Sequence, residues 1–98
     1  MSFSSWYSYD TSSANLNAPT SYGVYELADS LHNTVYYGSG IIRTRLLDHL
    51  NKRECPMAQY FRYERTESEE RARQRERALL DDYKTRNGKL PMYNERLG

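Results

Sequence analysis

Apolar and aromatic residues fall in three dense runs and two periodic stretches, separated by polar and turn-forming positions. The first run, YGVYELA (22–28), and the second, NTVYYG (33–38), are rich in aromatic and branched side chains. Asp29-Ser30 and His32-Asn33 lie between them, so the pair predicts a β-hairpin. Gly38-Ser39-Gly40 then breaks the second strand. From Ile41 the period changes: Ile42, Leu46, His49 and Leu50 share one helical face, and Pro56 marks that helix's end. AQYFRYER (58–65) reads as a third strand. TESEE opens a second helix, with Thr66 or Ser68 as cap and Glu67, Glu69 and Glu70 facing the positive end of its dipole. This helix is expected to reach about Lys84, and KLPMYNERLG is expected to be a loop packing back through Leu90, Pro91 and Tyr93. The order β-β-α-β-α predicts an α+β fold, a small three-stranded antiparallel sheet flanked by helices. Residues 1–20, rich in Ser, Thr and Asn around Trp6, Tyr7 and Tyr9, predict a partly ordered arm beside a domain spanning 21–98.

Composition narrows this picture. A chain of 98 residues has room for one modest core. Its ten tyrosines must supply much of the packing, and their hydroxyls need partners where buried. Cys55 is the single cysteine, which leaves no internal disulfide and no thiolate cluster. No apolar run approaches the ~20 residues that span a bilayer, so no membrane association is expected. MSFSSWYSYD has neither a basic start nor a continuous apolar run, so no secretory signal is read and a cytoplasmic location is expected. The net charge of +1 argues against holding nucleic acid by bulk electrostatics alone. Locally, Arg43, Arg45, Lys52 and Arg53 outnumber Asp48 and Glu54, which makes Arg43, Lys52 and Arg53 candidate nucleic-acid contacts.

Two helical positions break the apolar pattern. Glu76 shares a stripe with Ala72, Leu79, Leu80 and Tyr83. An ionised carboxylate there needs a cation or a metal, unless it sits at the stripe's border with its stem packed and its head in water, or paired with Arg73 or Arg77. On the earlier helix Arg45 and His49 stand four apart and point the same way. If that helix faces the hairpin, a guanidinium and an imidazole approach Tyr25 and Tyr36. Each of these residues taken singly has an ordinary structural reading; their convergence in one simple fold is what points to chemistry.

The ordered set resembles the GIY-YIG nuclease domain over roughly residues 22–94. Gly23-Val24-Tyr25 and Tyr36-Tyr37-Gly38 stand as variants of its two triplets. Arg45 and His49 follow on the first helix, ARQRERALL supplies Glu76, and LPMYN supplies Pro91 and Asn94. The stretch before Arg45 is about one residue short, which leaves Arg43 a rival for the arginine role, and the segment after Glu76 is longer. The resemblance implies a metal-dependent endonuclease that hydrolyses DNA phosphodiester bonds. It implies Glu76 as ligand to Mg²⁺, or Mn²⁺, with waters completing the shell. Tyr25 would take a proton from the attacking water, assisted by His49 and by cations that favour phenolate. Tyr36 would orient water or phosphate, Arg45 would offset phosphate charge, and Asn94 would tie the tail to the site.

Two other classes fit the same residues. One is a non-catalytic nucleic-acid binding module; the other is a small interaction protein, such as a homodimer joined through its tyrosines. With no sequence-reading domain in view, an enzyme reading implies weak sequence preference or recognition of a nick, flap or branch. A second subunit or a separate protein would otherwise supply the address.

Overall fold

The computed structural model describes residues 2–97. In chain order its elements are β1 (Tyr7–Ser8), α1 (Thr11–Asn17), β2 (Tyr22–Ala28), β3 (Thr34–Ile41), α2 (Ile42–Lys52), β4 (Tyr60–Arg65), α3 (Glu69–Asn87) and α4 (Met92–Leu97). The strands form one antiparallel sheet in the order β1-β4-β2-β3. Among the described residues no helix is long and apolar enough to cross a membrane.

The hairpin forms where the pattern places it. The Asp29 carboxylate accepts from the backbone N–H groups of Leu31 and Asn33, and this local bond set lets His32 adopt a left-handed φ of 64°. The expected three-stranded sheet is corrected to four strands. Tyr7 and Ser8 pair with Phe61 and Tyr60, and the Tyr7 and Tyr9 rings pack on Phe61. A two-residue strand in serine-rich sequence has no detectable period; it forms because the Tyr7 ring within it and the Tyr9 ring after it dock on Phe61. The tail differs too: Pro91 and Tyr93 are buried as expected, but Met92–Leu97 is helical rather than a loop.

The two faces of the sheet are unlike. Successive side chains alternate sides, so Tyr25, Leu27 and Phe61 point one way, onto Ile42 and Leu46 of α2 and Ala14 and Ala18 of α1. Each large apolar chain buried there contributes about 1.5–3 kcal/mol. The cross-strand row Glu64–Val24–Ser39 points the other way, where α3 lies. Two buried acids on that face are answered by arginines: Glu26 by Arg62 at 2.7 Å, and Glu64 by Arg75 at 3.0 Å. The Arg62 guanidinium is itself held between the Phe3 and Trp6 rings.

Helix ends follow local chemistry. Ser68 caps α3 by accepting from the Arg71 N–H; the helix runs to Asn87, three residues beyond the expected Lys84, and Gly88 closes it. Asp10 caps α1 in the same way through Ser13. The outer edge of β3 is covered from α4: Asn94 accepts from the Tyr37 N–H and donates to the Tyr37 carbonyl, both at 2.9 Å.

Candidate functional site

Tyr25 is fully buried on the face packed against α2. Its cross-strand neighbour is Gly38, and a Cβ on that glycine would lie 2.3 Å from the phenol's Cζ and hydroxyl oxygen. The missing side chain is the room through which the ring reaches β3. There its hydroxyl meets His49 Nε2 at 2.8 Å. Tyr36, two residues before Gly38, places its ring centroid 5.1 Å from that of His49 and 6.1 Å from that of Tyr25. One turn earlier on α2, the Arg45 stem lies over Gly40, whose φ of 135° suits glycine and whose added Cβ would fall 2.9 Å from Arg45 Cγ. The glycines flanking Ser39 thus seat the phenol and the guanidinium.

Glu76 arrives from the opposite side. It is half-buried on α3, and one carboxylate oxygen accepts from the Ser39 hydroxyl at 2.5 Å. Gly38-Ser39-Gly40 is therefore a wall one strand thick, with Tyr25, His49 and Arg45 on one side and the acid on the other. β3 is the edge strand of the sheet, and the Asn94 amide covers it at Tyr37, next to Gly38. Among the described residues Glu76 forms no ion pair with Arg73 or Arg77, Arg73 pairing instead with Glu69 at 3.2 Å; its half-burial is that of the expected border position.

Burial dominates the electrostatics. It pushes the Tyr25 hydroxyl well above the ordinary tyrosine value; Tyr36 and Glu76 add to the rise, and the Arg45 guanidinium beside the same oxygen opposes it. Tyr36 is raised for the same leading reason, with the Glu76 charge next. Arg45 does favour the phenolate of Tyr25, as expected of a nearby cation, but one half-exposed arginine is outweighed by desolvation. His49 is shifted down, again by burial, against the Glu54 hydrogen bond that favours its charged form. It is neutral at pH 7. The His49 Nδ1 lies 2.7 Å from Glu54 Oε1. An ionised carboxylate only accepts, so Nδ1 carries the hydrogen and donates, and the Tyr25 hydroxyl donates to Nε2.

The remaining candidates are placed less centrally. Arg43 donates from Nε to the Ala18 carbonyl at 2.7 Å, which ties α1 to α2 and leaves Arg45 as the arginine beside Tyr25. Lys52 and Arg53 are exposed at the far end of α2, about 15 Å of helix from Arg43. Asn94 spends both ends of its amide on the backbone of Tyr37, next to Gly38. Sequence reasoning missed Ser39 and Glu54 as partners of the site. Glu54 follows His49 by five residues, a spacing that no helical face connects. An open groove of about 410 Å³ runs along α3 from Glu76 past Arg73, Arg77 and Lys84. A cavity of about 390 Å³ lies elsewhere, between α3 and β4, but its buried acid Glu64 is already paired with Arg75.

Among the described residues no three His, Cys, Asp or Glu side chains gather to hold a metal, so Glu76 would have to carry a hydrated divalent cation alone. The donor is a hard carboxylate oxygen on a half-buried residue whose other oxygen is held by a neutral hydroxyl rather than a cation. A Mg²⁺ ion bound through one carboxylate keeps most of its waters, so one such residue is an adequate anchor.

A family model described as a domain of unknown function (DUF7508) matches residues 3–86. The chain belongs to that family. No curated protein and no solved structure matches it. Membership in DUF7508 overturns the assignment to the GIY-YIG nuclease family. The DUF7508 match takes in the aromatic N-terminal segment that the resemblance left out, and it stops before Pro91 and Asn94. Part of the pattern has a local cause as well: the Tyr25 ring occupies the space that a side chain at Gly38, its cross-strand partner, would fill.

Proposed function

We propose that the protein is a divalent-metal-dependent endonuclease that hydrolyses phosphodiester bonds in DNA. The observation that carries this reading is the Tyr25–His49 hydrogen bond, with Arg45 beside the same hydroxyl and Glu76 behind the Ser39 wall. Phosphodiester hydrolysis needs a proton acceptor for water, a cation facing the phosphate and an anionic metal anchor; these groups supply one of each.

In this reading Tyr25 accepts a proton from the attacking water while its own proton passes to His49 Nε2; the ring is fully buried, so the step requires the β3 edge beside Gly38 to admit that water. Such positioned proton transfer contributes about 10²–10⁴-fold. Arg45 is half-exposed and turns its guanidinium to the phosphate, where a planar donor set offsets developing charge. Tyr36 offers its hydroxyl to the water or a phosphate oxygen. Glu76 would hold Mg²⁺ or Mn²⁺, which when bound supplies charge neutralisation at the phosphate. Arg73, Arg77 and Lys84 along the adjoining groove provide contacts for flanking phosphates. These contacts carry no base readout, so preference is for DNA structure, or is set by a second subunit or a separate protein.

The test is incubation of duplex, nicked, flapped and branched DNA with Mg²⁺ or Mn²⁺, comparing wild type with Glu76→Ala and Tyr25→Phe. Cleavage by wild type and its loss in both variants are expected. Cleavage that survives Glu76→Ala removes the metal-anchor role. Binding without cleavage on every substrate replaces the enzyme with a nucleic-acid binding module.

A further inference from the structure

The end of α2 reverses sharply. Arg53 takes a left-handed backbone conformation, φ 54°, and the chain folds back on the helix's last turn. The Glu54 N–H then donates to the His49 carbonyl at 3.2 Å, while its carboxylate accepts from the His49 ring. Glu54 thus grips His49 through both backbone and side chain. The imidazole is only 3% exposed, so solvent is a poor substitute for that acceptor.

We propose that Glu54 is a positioning residue of this site: it holds His49 in the Nδ1–H tautomer, so that the Nε2 lone pair receives the Tyr25 proton. The proposal rests on the hydrolytic reading above. The other tautomer would set an N–H against the Tyr25 hydroxyl and a lone pair against a carboxylate, leaving nowhere for the phenol's proton to go. In the step itself, the water proton moves to the Tyr25 oxygen as Tyr25's own proton moves to Nε2. The water oxygen bonds to phosphorus, the bond from phosphorus to the leaving oxygen breaks, and that oxygen takes a proton from solvent water. The imidazolium formed is balanced by Glu54. Its proton then returns through Tyr25 to the hydroxide left in solvent.

The groups facing this imidazole come from every neighbouring element: Tyr25 from β2, Tyr36 from β3, and Arg45 and Asp48 from α2 itself. A small cavity beside it adds Tyr9 and Cys55. Burial raises both the Tyr9 hydroxyl and the Cys55 thiol, the latter to about 12, so neither competes as proton acceptor or donor near neutral pH. Glu54 is the carboxylate in contact with the ring.

The test uses Glu54→Gln and Glu54→Ala, read by imidazole ¹⁵N shifts and by cleavage rate against pH with Mg²⁺. Wild type is expected to show His49 protonated at Nδ1 alone at pH 7.5. Glutamine keeps an acceptor without the charge, so it retains the tautomer while His49 titrates at lower pH and cleavage slows about 10-fold. Alanine is expected to mix the tautomers and slow cleavage about 100-fold, the upper end of what loss of an orienting carboxylate costs at metal-bound histidines. An Nε2–H signal in wild type overturns the proposal, as does a folded Glu54→Ala with unchanged tautomer, rate and pH profile. If Glu54→Ala does not fold, an unchanged titration and rate in Glu54→Gln overturns it. Absence of wild-type cleavage sinks the hydrolytic reading instead, and the ¹⁵N shifts still decide the hold of Glu54 on the tautomer.

Discussion

Replacing Gly38 by alanine is expected to expel the Tyr25 ring from its seat. Gly38 does not have a positive φ, so its backbone tolerates alanine and the effect is steric. The new methyl would stand 2.3 Å from both Cζ and the hydroxyl oxygen of Tyr25. Relaxed carbon contacts lie at about 3.5–4.0 Å, so the ring must retreat by more than ~1 Å. It has no slack, being fully buried among close-packed neighbours. Overpacking of this kind costs about 1–3 kcal/mol. The retreat also breaks the buried bond to His49, worth about 1 kcal/mol net. Against this, removing a glycine from the unfolded chain returns about 0.4–1 kcal/mol. The balance is a loss of about 2 kcal/mol, or roughly 10 °C in Tm for a domain this size. Thermal and urea unfolding measure it directly. The same substitution in a Tyr25→Leu background should cost less than about 0.5 kcal/mol, because the atoms it meets are gone. A Gly38→Ala protein melting within about 2 °C of wild type, or additive behaviour in the double variant, would refute the reasoning.

Removing the cation from the opposite face, Arg62→Ala, leaves Glu26 buried and without its ion pair; a loss of about 3 kcal/mol in urea unfolding is expected, together with a change in Trp6 fluorescence as the stacked guanidinium goes. Asn94→Ala strips both partners from the Tyr37 backbone and should cost about 1–3 kcal/mol, with Asn94→Asp intermediate because it keeps the acceptor only. His49 gives stability a pH dependence whose sign follows from its lowered pKa. Below about 6.5 the unfolded chain binds the proton first, so stability falls as pH drops from 7.5 towards 5.5. His49→Gln should flatten that slope in denaturant titrations at each pH, and an identical slope would remove His49 as its source. Arg45→Ala should lower cleavage about 10²–10³-fold with little change in Tm, since its side chain is 41% exposed.

The local patterns in the chain were enough to set most of the regular elements. Aromatic and branched runs on either side of an Asx-type turn make the hairpin, period-3.6 positions make α2, and a serine followed by acids starts α3, all through interactions within a few residues. The same spacing placed Arg45 and His49 on one face of α2 and set Glu76 on the stripe of α3. What the chain did not disclose depends on contacts between distant segments. β1 exists because Tyr7 meets Phe61, α4 is held where Asn94 finds an unpaired edge at Tyr37, and Glu54 reaches His49 only after a left-handed reversal at Arg53. Whether Tyr25 would be phenol or phenolate was likewise a tertiary matter. Charge neighbours can be guessed from sequence, but desolvation depends on what finally closes over the ring, and here it outweighs the arginine.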